Sequence, residues 1–385
     1  MRIHKTYIPP EITDHVIDHL HIDTRMLGIC SLVCKSWLPA SRFHLFSTIS
    51  LHPWKKDSFL RLLDSTYSSF APYVRHLFIR EGRGAYTWEK KWLNEALPLM
   101  TALTRIESLE IEQIIWEFLG TAAKKSFREI FREVKQLRLR QFEFRTGTEL
   151  VDFLTAFPIL ETLRLENVKW EKETTQLLDA SVPSRLRVVG MNYCRKGPVL
   201  DWLLTNPGVA RVDTVRLGMI TARDTPTVSR YLQFLGDSLT ELHLHFCSEF
   251  YVDGAGLIDQ FNLAQNTQLR KLYIYGLVVS TDAPLDWVTT LFRQIRSPHM
   301  REVSLSFHIA DSLEDAQAVD WDGFVEVFAK PHFSGLSNVN ILIARKGDCS
   351  AGKLVQRRLA SLQQRRILSV NVGSDDRSLM ENESA

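Results

Sequence analysis

Residues 160–165 read Leu160-Glu161-Thr162-Leu163-Arg164-Leu165, apolar at the first, fourth and sixth positions. The alternation over Leu163-Arg164-Leu165 fits a strand with one buried face. The same i, i+3, i+5 triad recurs in both directions. Toward the N-terminus it reads Val134-Leu137-Leu139, Ile106-Leu109-Ile111 and Val74-Leu77-Ile79. Toward the C-terminus it reads Leu186-Val189-Met191, Val212-Val215-Leu217, Leu239-Leu242-Leu244, Leu269-Leu272-Ile274, Met300-Val303-Leu305 and Leu336-Val339-Ile341. A degenerate copy follows at Arg365, Leu368 and Val370. Single triads arise by chance at this composition, so the spacing is what counts. The middle residues fall 32, 28, 26, 26, 26, 27, 30, 31, 36 and 29 apart.

Between the triads lie amphipathic stretches such as Leu150–Phe157, Val199–Leu204, Tyr231–Leu235 and Phe324–Phe328. They have helical spacing and are often closed by Gly or Pro. One strand and one helix every ~29 residues predicts a repeat array with a parallel sheet. The triad resembles the L-x-x-L-x-L strand of leucine-rich repeats. That resemblance implies an α/β solenoid, a horseshoe with parallel strands on its concave face and helices on its convex face. It would span residues 74–372 in about eleven repeats. In that family the third residue after the triad is often Asn or Cys. Cys194 and Cys247 comply, whereas Phe142, Val168 and Ile220 do not. Four spacings also exceed the usual 20–29 residues, so the array is irregular.

Of the 385 residues, 45% are hydrophobic and 24% charged, which excludes wholesale disorder. The formal net charge is +2, so no global charge favours nucleic acid or an anionic membrane, and neither is expected as a partner. No apolar run is long enough to span a bilayer. The opening residues lack the apolar core of a secretory signal. Five cysteines without a tight spacing fit reduced thiols, and a cytoplasmic or nuclear location is expected.

The first fifty residues differ from the rest. Pro9-Pro10-Glu11 opens a helix, with Ile12, Val16, Ile17 and Leu20 on one stripe. After a polar break at 21–25, a second helix carries Met26, Leu27, Ile29, Cys30, Leu32, Val33 and Trp37, and Pro39 is expected to end or kink it. So short a segment cannot hide that many apolar side chains alone. A partner surface is implied.

This segment resembles the F-box, whose pattern runs LPxEI, an apolar helix, LxxCxxVCxxW and a closing LF. The chain reads Ile8-Pro9-Pro10-Glu11-Ile12, then Leu27 through Cys30, Val33-Cys34-Lys35-Ser36-Trp37, then Leu45-Phe46, with Ile8 replacing the usual Leu. The resemblance implies an F-box at 8–51, a linker or capping helix at 52–73, the repeats at 74–372 and a disordered polar tail at 373–385. It also implies the substrate-recognition subunit of an SCF-type cullin–RING ubiquitin ligase, with no catalytic residue of its own. Carried over by position, Pro9, Ile12, Ile17, Leu20, Leu27, Val33, Cys34 and Trp37 would face the Skp adaptor. Cullin and RING protein would join through that adaptor. The alternative is a repeat scaffold that assembles no ligase.

Strand alternation places the residues between triad positions on the other sheet face. Arg138, Arg140, Arg164 and Arg216 share it, followed by His243, Tyr273 and Tyr275. Arginine suits carboxylate and phosphate groups, and aromatic side chains suit anchors. An acidic or phosphorylated protein substrate is therefore expected there. The competing expectation pairs these arginines with Glu110, Glu112, Glu166 and Glu241 on neighbouring strands.

Other motifs fall short. Gly347 to Gly352-Lys353 matches seven positions of a phosphate-binding loop, but Leu354 replaces the Ser or Thr that holds magnesium. Gly254 and Gly256 lack the rest of a dinucleotide fingerprint. His15 and His19 stand i, i+4 without the glutamate of the zinc motif or an obvious third ligand. No cofactor is expected.

Overall fold

The structure is a computed structural model. It describes residues 9–66, 68–82, 92–172, 180–205, 211–247, 256, 258–279, 285–309, 316–317, 319–344 and 350–373. Of the expected tail at 373–385 only Gly373 is among them, and Ile8, Gly254 and Gly347 to Cys349 lie outside these residues. The chain forms two compact units, residues 1–162 with 166–174, and residues 163–165 with 175–385.

The first unit opens with three helices, α1 (Pro10–His19), α2 (Thr24–Val33) and α3 (Leu38–Phe46). Pro10 starts α1 where a missing N–H costs nothing. Asp23 caps α2 by accepting from the Met26 amide at 2.9 Å. Helix α2 stops at Val33 because Cys34 turns extended, with φ −162° and ψ 169°. Pro39 then sits in the first turn of α3, so it begins a third helix instead of ending the second.

Strand β1 (Thr48–Leu51) follows, then helix α4 (Lys56–Asp64) and strand β2 (His76–Arg80). The short helix α5 (Trp92–Ala96), strand β3 (Ser108–Glu112), helix α6 (Thr121–Ile130) and strand β4 (Gln136–Arg140) continue the series. Strands β1 to β4 pair in parallel in chain order, with Ile49, Leu77, Leu109 and Leu137 in one row. The first strand therefore lies inside the segment that sequence assigns to the box. A second, small parallel sheet pairs β5 (Glu143–Thr146) with β7 (Lys169–Lys172), on either side of helix α7 (Gly147–Leu154) and strand β6 (Thr162–Glu166). An aromatic core of Trp116, Phe127, Phe142, Phe144 and Phe153 packs this unit, with Trp116 and Phe153 centroids 5.0 Å apart.

The second unit runs β8 (Val188–Asn192), α8 (Gly197–Leu204), β9 (Thr214–Ile220), α9 (Thr225–Leu235), β10 (Glu241–Phe246) and β11 (Lys271–Val279). It closes with α10 (Asp286–Gln294), β12 (Glu302–Ile309), α11 (Trp321–Phe328), β13 (Asn338–Ala344), α12 (Ser350–Arg358), α13 (Ala360–Gln364) and β14 (Leu368–Gly373). From β8 to β14 each strand pairs in parallel with the next. Val189, Val215, Leu242, Leu272, Val303, Val339 and Leu368 stand in one row. The spacing of the triads is thus the spacing of a parallel α/β ladder. Their side chains are buried except at the last strand.

A further periodicity marks the strand ends. Gln113, Gln141, Asn167, Tyr193, Met219 and Gly276 all have φ between 50° and 68°, each four residues past the middle triad residue. The left-handed residue turns the chain off the sheet. At Gly276 any side chain would also run into the His245 ring, so glycine is required twice over.

Candidate functional site

The N-terminal helices divide their apolar residues between a small core and solvent. Ile17, Leu27 and Cys30 are buried together, with Leu20, Trp37, Ala40 and Leu45 packed against them. Four of the residues assigned to an adaptor therefore hold the helices to one another: Ile17 and Leu27 fully, Leu20 and Trp37 in part. Pro9, Ile12, Val33 and Cys34 are exposed. Sequence reasoning left out Val16, Met26, Ile29 and Leu32, which are exposed as well. Leu32 is 86% exposed, Ile12 56% and Val33 55%. Helical spacing could have revealed Ile29 and Leu32, because both lie on the far side of α2 from Leu27 and Cys30.

Cys34 lies at the turn between α2 and α3. Its thiol is held below its ordinary pKa, first by the Ser36 hydroxyl 3.0 Å away and then by the Trp37 amide.

On the polar face of the sheet the arginines are engaged. Arg138 donates to Glu166 from Nη2 at 2.8 Å and from Nε at 3.0 Å, and its Nη1 stands 3.9 Å from Glu110. Arg140 reaches Glu166 at 3.1 Å and Glu110 at 3.6 Å. Two arginines and two glutamates make this cluster electrically neutral, so it exerts no net pull on an acidic peptide. Arg164 lies against Gly190, where a Cβ would stand 3.5 Å from its Cγ. Arg216 pairs with Glu241 at 3.1 Å.

His243, Tyr273 and Tyr275 were expected as exposed anchors. They are buried instead, as a stacked row. The His243 and Tyr273 ring centroids lie 4.0 Å apart at 14°, and Tyr273 and Tyr275 6.3 Å apart at 10°. His243 Nδ1 is 3.1 Å from the Tyr275 hydroxyl and Nε2 is 2.8 Å from Glu241 Oε1. Lys271 approaches the same carboxylate at 3.3 Å. Glu241 is held down to about 2, chiefly by the His243 hydrogen bond, with the charges of His243, Lys271 and Arg216 adding to it.

Sequence reasoning also missed a buried ion pair. Lys196 is almost fully buried and donates from Nζ to the Met219 carbonyl at 2.8 Å, with Asp224 Oδ2 3.7 Å away. Asp224 accepts from the Lys196 and Thr221 amides, both at 3.0 Å, and from the Thr221 hydroxyl at 2.8 Å. These bonds fasten the backbone at Lys196, Met219 and Thr221, so the pair positions backbone. Nearby, desolvation pushes the Cys194 thiol up to about 12, which leaves it protonated and unreactive.

Gly352, the second glycine of the phosphate-loop match, has a packing reason. A Cβ there would stand 2.9 Å from Val372 Cγ2, so glycine lets α12 lie against β14. Lys353 is exposed on that helix. His15 and His19 form an edge-on ring pair 4.8 Å apart. Among the described residues no three His, Cys, Asp or Glu side chains converge as a metal would need, and no helix is long and apolar enough to cross a membrane. No family model matches the chain, and no curated protein matches it.

Proposed function

We propose that the chain is a substrate receptor of an SCF-type ubiquitin ligase, with α1–α3 as an F-box and the strand–helix ladder as leucine-rich repeats. The observation that carries the reading is the apolar surface of Ile12, Val16, Met26, Ile29, Leu32 and Val33 around a box core of only a few residues. Leaving that much apolar area in water is unfavourable by about 25 cal/mol per Å², and a docked adaptor helix would remove it. The order of the segments, box then repeats, is the second support. On this reading the chain contributes position and no chemistry. It raises the local concentration of substrate lysines beside the conjugating enzyme.

Co-purification of the full-length chain with a Skp adaptor tests the reading, comparing wild type with Leu32→Asp plus Val33→Asp. Both side chains are exposed, so the variant keeps its thermal midpoint while losing the adaptor by about tenfold or more. A wild type that retains no adaptor overturns the proposal.

A further inference from the structure

Along the edge where the chain enters the strands, backbone hydrogen bonds tie one residue of each repeat to the next. In the second unit the amides of Asp213, Thr240, Arg270, Arg301 and Ser337 donate in turn to the carbonyls of Arg187, Asp213, Thr240, Arg270 and Arg301, at 2.8 or 2.9 Å. The matching row of the first unit is Arg75, Glu107, Lys135 and Glu161. Its charges alternate, and Glu107 lies 3.6 Å from Arg75 and 2.9 Å from Lys135. The second row begins the same way, with Arg187 3.6 Å from Asp213. It then breaks the pattern. Arg270 and Arg301 follow one another on neighbouring strands, about 5 Å apart at the backbone, with no acid between them. Like charges side by side are unfavourable for the fold.

The three connections that lead into β11, β12 and β13, residues 264–270, 295–301 and 329–337, contain Arg270, Arg296, Arg301 and Lys330 and no Asp or Glu. Every one of their residues is described. The three arginines are exposed and Lys330 is half-buried. None pairs with a described carboxylate. Arg296 Nη1 donates to the carbonyls of Arg293 and Ile295 at 2.8 and 3.3 Å, and Arg301 Nη1 to the Gly335 carbonyl at 3.3 Å. The adjoining acids have partners of their own. Glu241 is held by His243, Lys271 and Arg216, Glu302 accepts from Asn340 at 3.3 Å, and Glu326 stands 3.7 Å from Arg293. Burial, and then the charges of Arg296 and Lys330, hold the His332 imidazole below its ordinary pKa, so those two cations act on one point of the surface.

An unpaired cationic edge attracts an anion, and its surroundings select which one. No Leu, Ile, Met or Phe of the three connections is exposed. A single-stranded nucleic acid would lack its stacking platform there, and a bilayer would lack an apolar anchor. From β11 to β14, where Arg365 and Arg366 extend it, the patch is only about 15 Å wide. The exposed Asp237 bounds it ahead of β10. A duplex, with a charge for every ~1.7 Å of its axis, would run past the patch onto that acid. A short peptide would not. We propose that the edge formed by Arg270, Arg296, Arg301 and Lys330 is a docking site for a short acidic segment of another protein, extended across the strands with its carboxylates on the guanidinium groups. Alternate residues of an extended segment are ~7 Å apart, within reach of arginines on neighbouring strands. The site belongs to the second unit alone and does not depend on the ligase reading.

Fluorescence anisotropy with the full-length chain at low ionic strength tests this, using a labelled ten-residue peptide of alternating Ser and Glu. The other probes are the Ser/Lys counterpart, a ten-base-pair DNA duplex and phosphatidylserine vesicles. The Ser/Glu peptide is expected to bind most tightly. Arg270→Glu with Arg301→Glu should weaken it about tenfold or more without lowering the thermal midpoint, since both side chains are exposed. Arg270→Gln with Arg301→Gln should weaken it less, and decides alone if the reversal lowers the midpoint. Arg105→Glu with Arg132→Glu changes two exposed arginines of the first unit and gives the same net charge, and it should bind as wild type does. The proposal is overturned if the wild type does not bind the peptide, if the patch variants bind as wild type does, or if the first-unit variant loses as much. Equal or tighter binding of the Ser/Lys peptide, the duplex or the vesicles overturns it too. So does binding that appears only after Asp375, Asp376, Glu381 and Glu383 are replaced by their amides, because the chain's own acids would then be the occupant.

Discussion

Tyr231 is buried with a hydroxyl that finds no hydrogen-bond partner among the described residues, and burial pushes its phenol pKa far up. An orphaned hydroxyl in a packed interior is destabilising relative to a matched apolar group. Tyr231→Phe is therefore expected to raise stability by about 1 kcal/mol in urea unfolding, and a loss of stability would show that the hydroxyl is satisfied after all. The triad residues were legible because apolar identity and period coincide there. The left-handed positions were not. Gln113, Gln141, Tyr193 and Met219 have none of the usual glycine or asparagine signature, and only Asn167 and Gly276 announce the turn. Lys196 was equally silent, since nothing in its neighbours distinguishes a buried lysine from a solvated one.

At the scale of elements, β1 and the α2–α3 turn were misread for the same reason. Phe46, Ile49 and Leu51 carry the i, i+3, i+5 spacing, but Phe46 also reads, with Leu45, as the closing LF of the F-box pattern. Pro39 reads as a stop or as a start, and only the extended Cys34 decides between them. Across β9, β10 and β11, Arg216, His243 and Lys271 converge on Glu241. The folded pKa of Glu241, about 2, lies below its ordinary 4.5, so its ionised form stabilises the fold above pH ~4.5. That contribution is lost as pH falls from ~4.5 toward 2. Urea unfolding of wild type and Glu241→Gln should differ most at neutral pH, with the wild type the more stable, and should converge by pH 2. A gap that stays constant with pH would contradict the assignment.

For the whole molecule, periodicity alone disclosed the parallel ladder, because each repeat must bury the same face against its neighbours. The polar sheet face, expected to bind an acidic substrate, was less legible, since charge alternation between strands depends on register. Glu110 and Glu166 neutralise Arg138 and Arg140 only once β4 has been placed beside its neighbours. The N-terminal surface was half legible. Composition disclosed an apolar excess, but it could not say that Ile17 and Leu27 turn inward while Ile29 and Leu32 turn out. The central claim is that this outward face docks an adaptor. Hydrogen–deuterium exchange of the full-length chain with and without a Skp adaptor tests it most directly. The account predicts added protection within residues 10–46 and none across residues 188–373. Protection confined to the strand ladder, or no change at an adaptor concentration of tens of micromolar, would contradict it.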